Sequence, residues 1–436
     1  LLCYVGLTDS AALAWTGPRE GSEVVSPDEE AGMKRTSYKQ VLWAVCLLGV
    51  VCGMGCGAPS PQPSATMQSA GREEVDPATR YHALAQQYAK NGDYEQAEVQ
   101  YRKGLAMDPV SISMMRGLAD VYMKWASRTK ETLKVQGASA DTSQAVQAFY
   151  DKAVEVYDEA IALEPENTDI MEGRAYVLTA AGRHDDAIAV YEQVARLKPD
   201  DPSVYVNLGY TYQKKGDIDA AAGAYSRAIE ISPDDRDTIL RLARMLYDGE
   251  REPESRTWFD RAYRLDSSDA ALGRFLGALY IRAKDYESAV PIYASLIAQE
   301  PEDWRLQLNY GVALAEMDAN EEALEAYREV MRLNPEKIEV YWETVDLLNE
   351  MGSRTEALAL AEKGLAQAPE SAAGYAALGR VYEKLKRFDD AKATFERGLA
   401  LNDPRFNDYF KRQIPRQEQL KQREEALRDQ EQYGYD

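Results

Sequence analysis

TDIMEGRAYVLTAAGRHDDAIAVYEQVARLKPDD (residues 168–201) runs straight into PSVYVNLGYTYQKKGDIDAAAGAYSRAIEISPDD (202–235), and the two stretches are variants of one 34-residue pattern. Superposed, they place Ala175 on Gly209, Leu178 on Tyr212, Gly182 on Gly216, Ala187 on Ala221, Tyr191 on Tyr225 and Pro199 on Pro233. Apolar residues recur at helical spacing on both sides of Gly182 and Gly216, so each copy reads as a helix, a tight turn and a second helix. Glycine suits the turn because it adopts positive φ without a steric penalty. Small residues at 175 and 187 let the two helix axes approach, and the ring four residues after the alanine fills the space beside them. Pro-Asp-Asp then stops one helix and offers a cap to the next.

The same beat extends in both directions. Prolines fall at 109, 165, 199, 233, 301, 335 and 369, spaced by 34 or its double except across the first gap, which holds 22 extra residues. The crossing alanine returns as Ala97, Ala153, Ala289, Ala323, Ala357 and Ala391, with Ser255 the one substitute. The ring returns as Tyr101, Tyr157, Phe259, Tyr293, Tyr327 and Phe395, with Ala361 the exception. Nine copies are indicated: 78–111, 112–167, 168–201, 202–235, 236–269, 270–303, 304–337, 338–371 and 372–405. One helix pair cannot bury its own apolar face, so stability must come from stacking neighbours.

This pattern closely resembles the tetratricopeptide repeat (TPR) over about residues 78–405. The resemblance implies an all-α, right-handed superhelical solenoid of about nine helix-turn-helix repeats. It also implies that the second, fifth, ninth and twelfth residues of each first helix line a concave protein-binding face. Carried over position by position, the partner-contacting residues include Tyr176, Tyr210, Arg244, Tyr247, Arg274, Trp342, Asn349 and Arg380. Asn207 and Asn309 stand at the sixth position, where an amide can bond a peptide backbone. Tyr, Trp and Arg are the residue types that dominate interface energetics. The Lys/Asn/Asn/Lys/Arg clamp of the chaperone-tail-binding subclass is absent, since the third copy has Glu172 and Tyr176 at the corresponding places.

Two copies depart from the pattern. The fifth, 236–269, has Glu250, Ser255 and Ser267 where the turn glycine, the alanine and the proline belong. It is expected to be the weak joint of the array. The second carries its extra residues at about 126–147, with a basic start (Lys124, Arg128, Lys130, Lys134) that could lengthen the helix and a Gly-Ala-Ser-Ala-Asp tip at 137–141. A tolerated elongation and a partner-contacting arm are both open. After the last copy, Phe406, Tyr409, Phe410 and Ile414 are spaced to cap the exposed apolar end, and 416–431 reads as a solvated helix or frayed tail within a terminal segment 406–436.

Ahead of the repeats the composition changes. A basic start at Met33-Lys34-Arg35, an uncharged apolar run from Val41 to Met54, Gly55-Cys56 and a Pro/Ser/Gln-rich stretch resemble a bacterial lipoprotein signal. The run is too short for a comfortable membrane span. On this reading 33–55 is the signal peptide, Cys56 takes the lipid, 56–77 is a tether, and 1–32 is an upstream extension ahead of a start at Met33. The expected location is the bacterial envelope, at the outer membrane facing the periplasm. An ordinary export signal, a retained anchor and a cytoplasmic scaffold without lipid are the alternatives.

Composition narrows the function further. A net charge of −22 repels phosphate backbones, so nucleic acid is not an expected partner. All four cysteines lie in the first 56 residues, leaving no thiol chemistry in the repeats. The histidines, His82 and His184, lie in different copies and at no metal-ligand or triad spacing. Asp-Asp pairs at 185–186, 200–201, 234–235 and 389–390 fall at helix starts, where carboxylates cap exposed N–H groups. No catalytic residue, metal, cofactor or small-molecule substrate is expected. The reading is a scaffold for other proteins or peptide segments, touching a membrane through its lipid only.

Overall fold

A computed structural model describes residues 76–135 and 144–433. The signal, Cys56, the tether and the 137–141 tip lie outside these residues. The described chain is all-α. Its helices are α1 (Pro77–Lys90), α2 (Tyr94–Met107), α3 (Ile112–Val135), α4 (Gln144–Leu163), α5 (Thr168–Ala180), α6 (His184–Leu197), α7 (Pro202–Lys215) and α8 (Ile218–Ile231). Next come α9 (Arg236–Asp248), α10 (Glu252–Leu265), α11 (Ala270–Arg282), α12 (Tyr286–Gln299), α13 (Trp304–Glu316) and α14 (Asn320–Leu333). The series ends with α15 (Ile338–Glu350), α16 (Arg354–Gln367), α17 (Ala372–Lys384), α18 (Phe388–Ala400) and α19 (Asn407–Tyr433). They form nine pairs and a terminal helix among the described residues. The chain divides between Thr238 and Ile239 into two compact bodies. Within each body, successive pairs stack side by side.

The repeated small residues and rings build the core as the spacing predicts. Ala97, Ala153, Ala187, Ala221, Ala289, Ala323, Ala357 and Ala391 have no exposed surface, and the seven rings that follow all of them but Ala357 are buried, as is Phe259 after Ser255. Six of these rings, Tyr101, Tyr157, Tyr225, Tyr293, Tyr327 and Phe395, press on a glycine with no room for a side chain. Tyr225 lies on Gly209 and Tyr293 on Gly277, where an added Cβ would come within 3.0 and 2.9 Å of the ring. Tyr101 and Tyr157 reach instead onto Gly117 and Gly173, at the start of the following pair, and so tie one repeat to the next. Ser255 fills the alanine's place fully buried, and its hydroxyl donates to the Glu252 carbonyl at 2.9 Å.

These glycines give a test in which two effects oppose. Alanine is favoured over glycine inside a helix by about 1 kcal/mol. Gly223 on α8 has nothing within 4 Å of the point where a methyl group would stand, so Gly223→Ala is expected to stabilise by about that amount. Gly379 on α17 lies directly against the fully buried Phe395 ring, so Gly379→Ala is expected to destabilise by about 1–3 kcal/mol. Urea denaturation of the two variants should move in opposite directions; shifts of the same sign would refute the packing described.

The turns show why the fifth repeat survives without its glycine. Gly92, Gly182, Gly216 and Gly352 have φ of 77–88°, and the equivalent Glu250, Lys284, Asp318 and Lys386 have φ of 58–61°. One left-handed residue closes every such turn, whatever its side chain. Non-glycine residues carry a cost of about 1–2 kcal/mol there, which the packing on both sides must offset. Many helix starts are capped by an aspartate that accepts a backbone N–H: Asp93 from Gln96 (3.2 Å), Asp201 from Ser203 (3.0 Å), Asp235 from Thr238 (3.3 Å) and Asp285 from Ser288 (3.3 Å). Asp185, Asp186, Asp389 and Asp390 sit in first turns, where their charge suits the helix dipole.

The inserted residues lengthen both helices of the second pair. Trp125 and Phe149 stack at 4.5 Å between the lengthened helices, and Tyr94 of the first repeat leans on Trp125. Arg128 donates to the Gly92 carbonyl (2.8 Å) and Gln147 to that of Ala181 (3.4 Å). The lengthened pair is therefore fastened to the turns on either side of it.

Of the two forms open for 416–431, a solvated helix or a frayed tail, the chain takes the helix. It continues to Tyr433, and Gln417 is buried with its amide donating to Glu383 at 2.6 Å. Lys421–Asp389 (2.8 Å), Lys386–Glu424 (2.5 Å) and Lys392–Glu418 (3.4 Å) hold its middle on the last repeat. Such exposed pairs contribute little singly, so the apolar start of the helix carries the attachment.

Candidate functional site

First helices of successive repeats lie against one another within each body, as α1·α3, α3·α5, α5·α7 and α15·α17. Between α5 and α7 the contact includes the hydroxyls of Thr179 and Thr211, 3.0 Å apart. Residues at matching positions therefore form rows across neighbouring helices. In the 76–238 body one row is Gln86, Asp120, Tyr176 and Tyr210.

Three of the expected partner residues stand open in that body. Tyr176 is 38% exposed. Tyr210, one repeat on, is half-buried, with the Lys214 ammonium 5.2 Å from its ring centre. Asn207 is half-buried on α7; its carbonyl accepts from Thr211, while its side-chain amide has no hydrogen-bond partner among the described residues.

Most of the expected residues in the 239–433 body do other work. Trp342 is 6% exposed, its ring wedged where side chains on Gly364 and Gly374 would be. Asn349 is buried as well. Trp342 belongs to the core because those two glycines leave a hole that only a large ring fills. Arg380 donates to both oxygens of Asp346 (2.9 and 2.5 Å) and to the Tyr409 hydroxyl (3.4 Å). Despite the burial, Asp346 holds the Arg380 pKa above its ordinary value. Arg274 is spanned by Glu300 (2.5 Å) and Asp303 (3.3 Å). Tyr247 meets Phe259 and Phe275 edge-on, with Arg282 over its ring. Asn309 donates to the buried Tyr293 hydroxyl (3.2 Å), and Arg244 is half-buried on α9. Tyr247, Asn309 and Arg380 thereby reach across to a neighbouring repeat, while Arg274 is held within its own.

A cleft in the first two repeats adds residues not named among the expected partner contacts. It measures about 560 Å³ and is lined by Gln86, Lys90, Tyr101, Arg116, Asp120 and Lys124, among others. Its signal is present in the sequence: His82 and Arg116 stand at the fifth position, and Gln86 and Asp120 at the ninth. In the same two repeats, Tyr122 donates to Glu98 (2.7 Å), and Arg102 donates to both Tyr122 (2.9 Å) and Glu98 (3.0 Å). Burial pushes the Glu98 carboxyl up, but these hydrogen bonds and nearby Lys152 outweigh it and hold the pKa below the usual carboxylate value.

Among the described residues, no group of three or more His, Cys, Asp or Glu could hold a metal ion, and no helix is long and apolar enough to cross a membrane.

Family models described as "Tetratricopeptide repeat" match residues 78–111, 206–270, 280–345 and 348–410, and one described as "TPR repeat" matches 175–216. No curated protein matches. Among solved structures, the chain is similar to yeast Tom70, at 14% identity over 82% of this chain and 91% of that one, with a TM-score of 0.33. It is similar to PilF of Pseudomonas aeruginosa at 21% identity, over 55% and 97% of the two chains, with a TM-score of 0.34. MamA of Desulfovibrio magneticus RS-1 aligns at 19% identity over 39% and 96%, with a TM-score of 0.29.

Proposed function

Because the chain belongs to the tetratricopeptide-repeat family, we propose that it is a lipid-anchored adaptor of the bacterial envelope, gripping partner proteins through the first-helix face of its repeats. Protein binding is the function the repeats themselves support. The observation that carries it here is the open row on α5 and α7, where Tyr176, Asn207 and Tyr210 present two rings and an amide. Aromatic rings bury large area around few rotatable bonds, and an amide beside them can fix a peptide backbone.

The anchor rests on sequence alone. The basic start, short apolar run and Gly55-Cys56 resemble a lipoprotein signal, and the Pro/Ser-rich stretch from Cys56 to residue 77 would hold the repeats away from the bilayer. Gly57 follows Cys56 in place of the aspartate that retains some lipoproteins at the inner membrane, which favours the outer membrane facing the periplasm. In that position the adaptor would assist assembly of an envelope complex, such as a pilus secretin, outer-membrane or cell-wall machine. Intact mass of the mature protein tests this: cleavage before Cys56 with an added lipid mass, and a shift of Cys56→Ala from membrane to soluble fractions, are expected. An unmodified Cys56 with unchanged fractionation would leave a scaffold without the anchor.

A further inference from the structure

The cleft between the first two repeats reverses the charge of the molecule around it. The chain as a whole carries −22, and many of its cations are neutralised by carboxylates. Lys198 meets Asp169 and Glu172 (both 3.2 Å), Lys215 meets Asp185 (2.7 Å) and Arg174 meets Asp158 (2.6 Å). Lys90, Arg116 and Lys124 are different. All three line the same cleft, and none has an ion-pair or hydrogen-bond partner among the described residues. The one carboxylate lining the cleft is Asp120, one helical turn from both Arg116 and Lys124, so the lining keeps an excess of positive charge. Burial pushes the Asp120 carboxyl up against the pull of Lys124 and Arg116.

We propose that this cleft receives the acidic side chains of an extended partner peptide, with Lys90, Arg116 and Lys124 as the carboxylate-binding groups. The volume, about 560 Å³, is that of a ligand site and far more than one carboxylate needs. Gly117 lets Tyr101 approach from beneath, so its hydroxyl lies against the backbone at the cleft. Gln86, whose amide nitrogen is 3.1 Å from the His82 ring, lines the cleft beside the cations. Such a cleft discriminates by charge: a neutral segment would leave three cations crowded together, and a basic one would be repelled. The proposal rests on the first-helix face being the binding surface and adds the chemistry of what it takes.

The test is an anisotropy titration of the full chain with a fluorescein-labelled octapeptide of alternating Glu and Ala, and with the same peptide carrying Gln for Glu. The wild type is expected to bind the Glu peptide roughly tenfold more tightly or better. Arg116→Glu combined with Lys124→Glu should abolish that preference, whereas Arg264→Glu with Arg305→Glu, equal in net charge but distant in sequence, should keep it. Equal affinity for the two peptides in the wild type overturns the proposal. So does equal loss in both double variants, or displacement of the Glu peptide by equimolar inorganic phosphate. Because the peptide contrast is read on the wild type, a misfolded variant cannot decide the outcome. If the Glu peptide is not preferred while protein partners still depend on Tyr176 and Tyr210, the adaptor reading stands and only the acidic preference falls.

Discussion

Phe410→Ala is expected to destabilise the C-terminal end of the repeats by about 3–5 kcal/mol. Phe410 is fully buried at the start of α19, 6.1 Å from the Phe395 ring, 6.0 Å from Phe406 and 5.6 Å from Tyr409, centre to centre. It also covers Gly398, which leaves room for the ring and nothing else. The rest of α19 is held mainly by exposed ion pairs, which salt screens, so the ring cluster is what closes the last repeat. Repeat arrays lose structure from their ends. The loss should therefore appear as early unfolding of α17–α19 in hydrogen exchange, with the 76–238 body protected as before. A loss under about 1 kcal/mol would show that the cap is held by its charges instead.

Trp342→Ala is the second large effect, again about 3–5 kcal/mol. The ring fills the hole left by Gly364 and Gly374, where added Cβ atoms would lie 2.6 and 2.8 Å from it. Removing it leaves a cavity between repeats that glycine backbones cannot collapse to fill. Chemical denaturation should show the loss, while partner binding measured well below the midpoint stays unchanged. Unchanged stability with lost binding would return Trp342 to the groove.

That residue also shows where sequence reading stops. The fold is legible because alanine, ring and proline recur at one spacing in most of nine copies, and the buried surface follows that spacing. Position alone assigns Trp342 and Asn349 to the groove. Two glycines elsewhere in sequence, 364 and 374, decide otherwise by giving the ring a place inside. The arginines leave the groove for a related reason. Arg380 and Asp346 occupy the same position in successive repeats and pair across adjacent first helices, a match that can be read from sequence once the helices are known to touch. Arg274 finds its partners at the end of α12 and the start of α13, which only the packing shows. The fifth repeat lacks the turn glycine, but Glu250 takes the same left-handed turn as Lys284, Asp318 and Lys386. The basic cleft escapes a reading that takes residues one at a time, because only their convergence gives them meaning.

The most direct measurement is recovery of partner proteins from membranes with the full chain, wild type against Tyr176→Ala combined with Tyr210→Ala, quantified by mass spectrometry after crosslinking. The account predicts that specific partners fall by roughly tenfold or more, the loss of about one interface hot spot, with helicity and melting temperature unchanged. Full retention of the same partners by a folded double variant would contradict it.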